Sequence, residues 1–409
     1  MTHRVVVTGA AGYSPVGNGW TEIEQRMRSL KNGVQHIDSW EEYDGLNTKL
    51  GAPVENFEAP ASFTRKRTRT MGRVSMLATA ASEKALADAG LLDDPILKSG
   101  RVGVAYGSST GSTDAITDFA NMLTTKSLDG ITATTYIRMM GHTAPVNIGV
   151  FFGLQGRVIT TSSACTSGSQ GIGYAFEAIR HGHQDIMLAG GAEELCPTEA
   201  AVFDTLYATS TLNDTPELSP RPFDRDRDGL VIGEGACTLI LENRDHALAR
   251  GAEVYAELVG FDTNADGAHV TQPSPATMQR VMEMALTDSG LPAEAVGYIS
   301  AHGTATDRGD VAESHATLQV YGDSTPISTL KSYMGHTLGA CGALEAWLAI
   351  EMMNNGWFAP TINLENVDPE CASLDYITGD GRELDVEYVA SNNFAFGGIN
   401  TSLIFRRHA

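Results

Sequence analysis

Two hydrophobic periods alternate along the chain. Short apolar, β-branched stretches (RVVVTG, RVGVAYG, RVITTS, DIMLAGGAE, then CTLILE, EVYAELVGF, VGYISAHG and PISTLKS) are separated by segments in which apolar residues recur three and four positions apart. That alternation predicts an α/β protein. VITTSSAC, a helical segment and DIMLAGG are echoed later by VGYISAHGTAT, a helix predicted over about 307–321, and PISTLKS. The echo implies a duplicated unit. Within RDHALARGAEVYAELVGF a helix gives way to a new strand, which puts the boundary near residue 250 and defines halves 1–250 and 251–409. No low-complexity linker marks that point, so the halves are expected to share one large interface.

The period changes sharply within residues 158–179. Val158 to Thr161 reads as a buried strand, whereas Ile172, Ala175, Phe176 and Ile179 share one helix face. Cys165 therefore falls at a strand-to-helix turn, where unpaired amides and the helix dipole stabilise a thiolate. Its neighbours, Ser162, Ser163, Ala164, Thr166, Ser167 and Gly168, are small enough to leave room for a substrate. An isolated cysteine is more often a packing residue, and this stretch alone leaves both roles open. His302 in SAHGTATDRGD and His336 in KSYMGHTLGACGALEAWLAI also follow strand ends and are flanked by Gly and Thr. Reactive groups collect at the carboxyl ends of strands in such proteins, so the three residues are candidates for one site.

Composition narrows the function further. The 409 residues are 42% hydrophobic and 19% charged, enough for two packed units. Five cysteines (Cys165, Cys196, Cys237, Cys341 and Cys371) are widely spread without a CxxC pair, which predicts neither a disulfide framework nor a zinc site and fits a reducing cytoplasm. No basic segment leads into an apolar core at the start, and no run of about 18 apolar residues occurs, so a soluble, unexported protein is expected. A net charge of −22 argues against nucleic acid and anionic membranes as partners. Against that background RKRTRTMGR concentrates Arg65, Lys66, Arg67, Arg69 and Arg73 in nine residues without one acid. It reads either as a solvated helix face or as a docking patch, helped by Lys126, for an acidic partner.

TSSACTSGSQGIG, AHGTATDRGD, KSYMGHTLGACGALEA and SNNFAFGGINTSLIF, in that order, resemble the β-ketoacyl-acyl-carrier-protein synthases, the elongating condensing enzymes of fatty acid synthesis. The likeness extends to VVVTGAAGYSPVGNG, LAGGAEELC, RPFDRDRDGLVIGEGA and GWFAPTINLE, and so runs nearly end to end. It implies the duplicated thiolase fold, α-β-α-β-α layers around two mixed sheets. It also implies that Cys165 takes an acyl group from an acyl carrier protein, and that His302 and His336 hold the enolate formed as malonyl thioester loses CO₂. The backbone amides of Cys165 and Phe396 match the family's oxyanion hole. Thr304 and Thr306 match its pantetheine-binding threonines, Lys331 and Glu345 its supporting charged pair, and Phe394, Ala395, Phe396, Gly397 and Gly398 its gating loop. No cofactor is implied, since the pantetheine arm carries the substrates. The partners expected are the carrier protein, met by the Arg65–Arg73 patch, and a second subunit, either identical or a chain-length-factor-like relative.

Three departures stand out. Ala395 replaces a glycine of the gate, Met334 a threonine before the Gly-His pair, and Asp307 a proline after the second pantetheine threonine. They leave acyl-chain preference open, including a specialised polyene or polyketide pathway. The two-histidine pattern separates the chain from degradative thiolases, which pair one histidine with a second catalytic cysteine; Cys341 falls on a predicted helix where small residues serve packing. VVVTGAAGYSPVG lacks the spacing of a dinucleotide-binding turn, and Pro15 falls where its helix would begin. The presence of Cys165, His302 and His336 also distinguishes the chain from inactive partners of the same fold.

Overall fold

The computed structural model describes residues 2–408. Ten strands form its main sheet: β1 (Val5–Tyr13), β2 (Val102–Gly107), β3 (Val158–Thr160), β4 (Ile186–Glu193), β5 (Gly235–Asn243), β6 (Ala256–Ala265), β7 (Val296–Ser300), β8 (Ile327–Ser328), β9 (Tyr388–Ala395) and β10 (Ile399–Arg407). The principal helices are α1 (Arg73–Asp88), α2 (Thr143–Phe152), α3 (Ser167–Arg180), α4 (Pro275–Ser289), α5 (Asp307–Tyr321) and α6 (Cys341–Asn355).

The sheet consists of two five-stranded mixed halves, β3-β2-β4-β5-β1 and β8-β7-β9-β10-β6, joined where Val5, Val6 and Val7 pair antiparallel with Leu258, Glu257 and Ala256. Each half is parallel through its first three strands and antiparallel thereafter, so the duplication is exact in strand order and direction. Its correspondence differs from the echo read in the sequence. β3–α3–β4 matches β8–α6–β9, whereas VGYISAHG, α5 and PISTLKS match β2–α2–β3, one unit earlier. Hydrophobic period fixes the type of each element but not which copy it equals.

α3 and α6 lie back to back between the half-sheets, α1 and α2 cover the outer face of the first and α4 and α5 that of the second, which gives the layers α-β-α-β-α. α3 buries the face read from the sequence, Ile172, Ala175, Phe176 and Ile179. α6 is buried almost all round, as an interior helix must be. The two meet at Gly168 and Gly342, where an added Cβ would lie 2.9 Å and 2.7 Å from the backbone of the facing helix. The small residues around Cys341 therefore serve close packing, which draws together the helix starts that frame the site.

The strand read as buried at 158–161 is instead a three-residue edge. Val158 is 52% exposed, and no strand of the described chain pairs with β3 on its outer side. Its β-branched residues announce a strand but not what covers it.

Candidate active site

Cys165 occupies a short 3₁₀ turn, Ala164–Thr166, that leads from β3 into α3. Ala164 holds φ +52°, a left-handed value that a non-glycine residue adopts only when its surroundings fix it. The turn is fixed by Ser163 N–H donating to Ser167 Oγ at 2.9 Å and by Ser167 Oγ–H donating to the Ala164 carbonyl at 2.7 Å. The hydroxyl cluster around the cysteine thus serves its turn as well as its space.

His302 follows β7. Glu313, in the second turn of α5, accepts the amides of His302 and Gly303 at 2.7 Å each, and Asp310 accepts those of Thr304 and Ala305 at 3.0 and 3.1 Å. His336 follows Gly335, whose φ is +65°, and is tied to the neighbouring chain by its amide donating to the Val231 carbonyl at 2.6 Å. These turns bring the three sequence candidates together around a cavity of about 490 Å³. Cys165 Sγ lies 2.9 Å from His336 Nε2, and the two imidazole rings stand edge to face with centroids 5.2 Å apart.

Electrostatics set the protonation states. Lys331 Nζ is 3.2 Å from His302 Nδ1 and pairs with Glu345, both charges being buried. Burial works to neutralise that amine, but Glu345 overrides it and raises its pKa, so Lys331 is an ammonium. An ammonium only donates, so His302 Nδ1 accepts and its proton resides on Nε2. Burial, then Lys331, then His336 hold the His302 pKa well below its usual value, and burial followed by Lys331 does the same for His336. Both rings are neutral. The Nδ1 of His336 is buried without a partner, and an unshared lone pair there costs less than an unpaired N–H, so its proton also belongs on Nε2.

Cys165 departs from the sequence expectation of a thiol made acidic by a helix start. Burial pushes it up to about 11, against the pull of the Lys331 charge and of the backbone amides of Phe396 and Cys165 itself. Desolvation of the buried sulfur is the larger effect. Those same two amides, the pair expected from the resemblance to form an oxyanion hole, both act on the Cys165 sulfur.

Thr304 and Thr306 line the cavity with their hydroxyl oxygens 2.9 Å apart. Phe394, Ala395 and Phe396 also line it, and the Phe396 ring meets Phe203 with centroids 4.9 Å apart. Gly397 (φ +87°) and Gly398 (φ +69°) close the turn between β9 and β10, and Gly398 N–H donates to the Ala395 carbonyl at 3.0 Å. Ala395 itself ends β9 opposite Ile399 without a positive φ, so alanine fits there. Met334 is buried in the helical turn Lys331–Met334, and the Asp307 carbonyl accepts from Arg227 at 2.8 Å.

The basic segment divides. Arg65, Lys66 and Arg69 are exposed and make no ion pair among the described residues, whereas Arg73 does not belong with them: its guanidinium is spent on the buried Glu234 at 2.8 and 2.9 Å. Arg67 lies over the Phe151 ring at 3.5 Å. Lys126 caps the helix Asp114–Thr125 and donates to the Leu123 carbonyl at 2.6 Å.

The sequence pattern does not mark Asn393, whose side-chain amide donates to Glu345 at 2.7 Å and lies 3.4 Å from His302 Nδ1. Nor does it mark Glu313 or Arg227. Acids two turns into a helix that follows a functional strand end are the available signal. Cys341 does not line the cavity, and its thiol donates to the Cys165 carbonyl at 3.2 Å. Among the described residues, the donor atoms of Cys165, His302 and His336, and those of His302, Cys341 and Glu345, are close enough to share a metal ion. The Lys331 ammonium against His302 and Glu345 makes the second group a poor host for a cation.

Comparison with known proteins agrees with this geometry. Residues 2–247 match the family described as Beta-ketoacyl synthase, N-terminal domain, and residues 255–365 match its C-terminal domain. The chain is 37% identical to 3-oxoacyl-[acyl-carrier-protein] synthase 2 of Synechocystis, over 99% of this chain and 98% of that one. A beta-ketoacyl synthase from Burkholderia phymatum superposes with TM-score 0.98 at 58% identity over the whole of both chains. A ketosynthase solved in complex with its type II polyketide acyl-carrier protein superposes with TM-score 0.88 at 31% identity, again over the full length of both.

Proposed function

Because the chain belongs to the β-ketoacyl synthase family and is a carbon–carbon bond-forming acyltransferase, we propose that its three converging residues divide one condensation between them. The reaction is the two-carbon elongation of an acyl chain in fatty acid biosynthesis. In the first half, Cys165 sulfur attacks the thioester of an acyl carrier protein and the tetrahedral oxyanion rests on the amides of Cys165 and Phe396. The carrier thiolate leaves with the proton that the cysteine gives up, so charge balances and the acyl group stays on sulfur. In the second half, a malonyl thioester takes the vacated channel with its carbonyl oxygen between the Nε2–H donors of His302 and His336. Loss of CO₂ leaves the bond's electron pair as an enolate, which those neutral donors stabilise without being able to protonate it readily. The carbanion attacks the acyl carbon, the Cys165–carbon bond breaks with its electron pair on sulfur, which takes up a proton from water to restore the thiol, and the β-ketoacyl product departs on its carrier.

The observation that carries this reading is the pairing of Cys165 Sγ with His336 Nε2 at 2.9 Å beside a His302 ring whose far nitrogen is occupied by Lys331. Each step needs only acid–base and covalent chemistry, so no cofactor is invoked. Thr304 and Thr306 are assigned to the pantetheine arm. Arg65, Lys66 and Arg69 are assigned to the acidic carrier protein, as their free charge supports. The exposed β3 edge continues into Val150, Leu123, Leu128 and Tyr136, an apolar surface on adjoining elements that suits a second copy of this chain. Light scattering should then return twice the 43.5 kDa chain mass; a monomer that dimerises only with a related subunit would favour the heterodimer.

The test of the function is the intact mass of the protein after incubation with acyl carrier protein thioesters, followed by peptide mapping. One acyl group on Cys165, discharged by malonyl carrier protein to a product two carbons longer, is expected. An adduct on Cys341, or none on Cys165, would overturn the assignment.

A further inference from the structure

Behind the nucleophile the wall is built by the helix Pro197–Asp204. Its Phe203 lines the cavity with Cys165, and its Ala200 belongs to the apolar cluster that holds Cys165 and Leu338. One turn before Phe203, about 5.4 Å along the axis, the same helix carries Glu199, 4% exposed. Its Oε1 lies 3.3 Å from the Thr110 hydroxyl, while its Oε2 is buried with no hydrogen-bond partner.

The neighbouring acids have partners of their own. Glu193 accepts from Ser108 Oγ, the Ser109 amide and the Gly339 amide at 2.7, 2.7 and 3.0 Å, and Glu194 takes both the amide and the hydroxyl of Thr113 at 2.7 Å. Cys196 and Thr198 add further polar atoms, 3.1 Å apart. Glu199 does not line the open cavity itself but shares a helix face with Phe203, which does, so a plain alkyl chain extended past Phe203 along this face would leave the Glu199 oxygen unsatisfied. Burial first, then Glu193, Cys196 and Glu194, hold the Glu199 carboxyl well above the usual carboxylate range, so it offers both an O–H donor and a free acceptor.

We propose that Glu199 is a specificity-determining residue of the condensation, selecting acyl chains that carry a hydroxyl, phenol or carbonyl oxygen beyond their first few carbons. The inference rests on the reading that Cys165 carries the acyl group and adds which chains it carries. A group that satisfies the orphaned oxygen gains about one neutral hydrogen bond over an alkyl chain, roughly threefold to tenfold in loading.

The experiment loads the full-length protein with octanoyl pantetheine and with a series bearing one hydroxyl at successive carbons, and follows acyl-enzyme formation by mass spectrometry. At least one hydroxylated chain should load threefold to tenfold faster than octanoyl on the wild type. Glu199→Gln, which keeps a donor and an acceptor, should retain that ratio, and Glu199→Leu should abolish or reverse it. A flat series on the wild type, or the same ratio in the wild type and Glu199→Leu, would overturn the role of Glu199 while leaving the condensing activity standing. Failure of the wild type to load any chain would overturn the parent reading, and this inference with it. A flat wild-type series overturns the role even if the leucine variant does not fold, and Glu199→Met then supplies the apolar comparison.

Discussion

Replacing His302 with alanine separates the two halves of the reaction. The variant loses one of the two Nε2–H donors proposed for the malonyl enolate, and removing one such donor costs roughly 10²- to 10³-fold in turnover, about 2.7–4 kcal/mol. The surroundings should hold, because Lys331 keeps Glu345 and the Asn393 amide keeps the other Glu345 oxygen at 2.7 Å. Acyl transfer to Cys165 should fall by less than about tenfold, since His336 at 2.9 Å and the two backbone amides are untouched. Release of labelled CO₂ from malonyl carrier protein and acyl-enzyme formation are measured on the same preparation. Equal losses in both, or CO₂ release at the wild-type rate, would refute the reasoning. A pH series sharpens the test. Burial, then Lys331, then His336 depress the His302 pKa, so decarboxylation should stay level as pH falls through about 6.5, where an ordinary histidine would charge. Lys331→Met removes one depressing charge, and the acid limb should move upward. Linkage gives stability the same sign. The unfolded chain takes up the proton first, so this histidine's contribution is complete above the unfolded pKa and is lost as pH falls towards the folded one, at up to about 1.4 kcal/mol per pH unit.

Reversing Arg65, Lys66 and Arg69 to glutamate should raise KM for carrier-bound substrates and flatten their salt dependence while sparing small pantetheine thioesters; equal losses on both would make the segment structural. Ala395→Gly frees the backbone beside Phe396 and, if that loop gates the cavity as the resemblance implies, should broaden the range of chains loaded onto Cys165, with decarboxylation little changed; superimposable loading profiles would show that alanine is neutral there. Arg227→Met strips the partner from the buried Asp310 and from Asp368, which should destabilise the protein by about 3–5 kcal/mol, read as a lowered denaturant midpoint. An unchanged midpoint would mean that those acids are neutral in the folded state.

Much of the site was legible in the chain because its parts are local. A nucleophile at a strand-to-helix turn, two histidines after strand ends and a glycine pair in a hairpin each leave a signature within a dozen residues. What escaped was set by tertiary packing. Nothing around Arg73 announces that Glu234, far along the chain, will take its charge, and nothing in VITT says that β3 will be an edge. The backbone amides beside Cys165 favour a thiolate as the local pattern indicates, but burial of the sulfur outweighs that contribution and no local pattern reports it. Asn393 is equally hidden, since its role exists only once β9 lies against α6.

The two halves carry the same left-handed bend before their central helices, at Ala164 (φ +52°) and at Leu338 (φ +44°). The residue after the bend is Cys165 in one half and Gly339 in the other, and the glycine gives its amide to Glu193 instead of a side chain to substrate. Stoichiometry follows from that one difference. A molecule with two matching cradles holds a single titratable sulfur in them, so one equivalent of an active-site alkylating agent should silence a whole chain. The second cradle ties its turn through Glu193 to the Ser108–Ser109 segment instead of offering a nucleophile of its own.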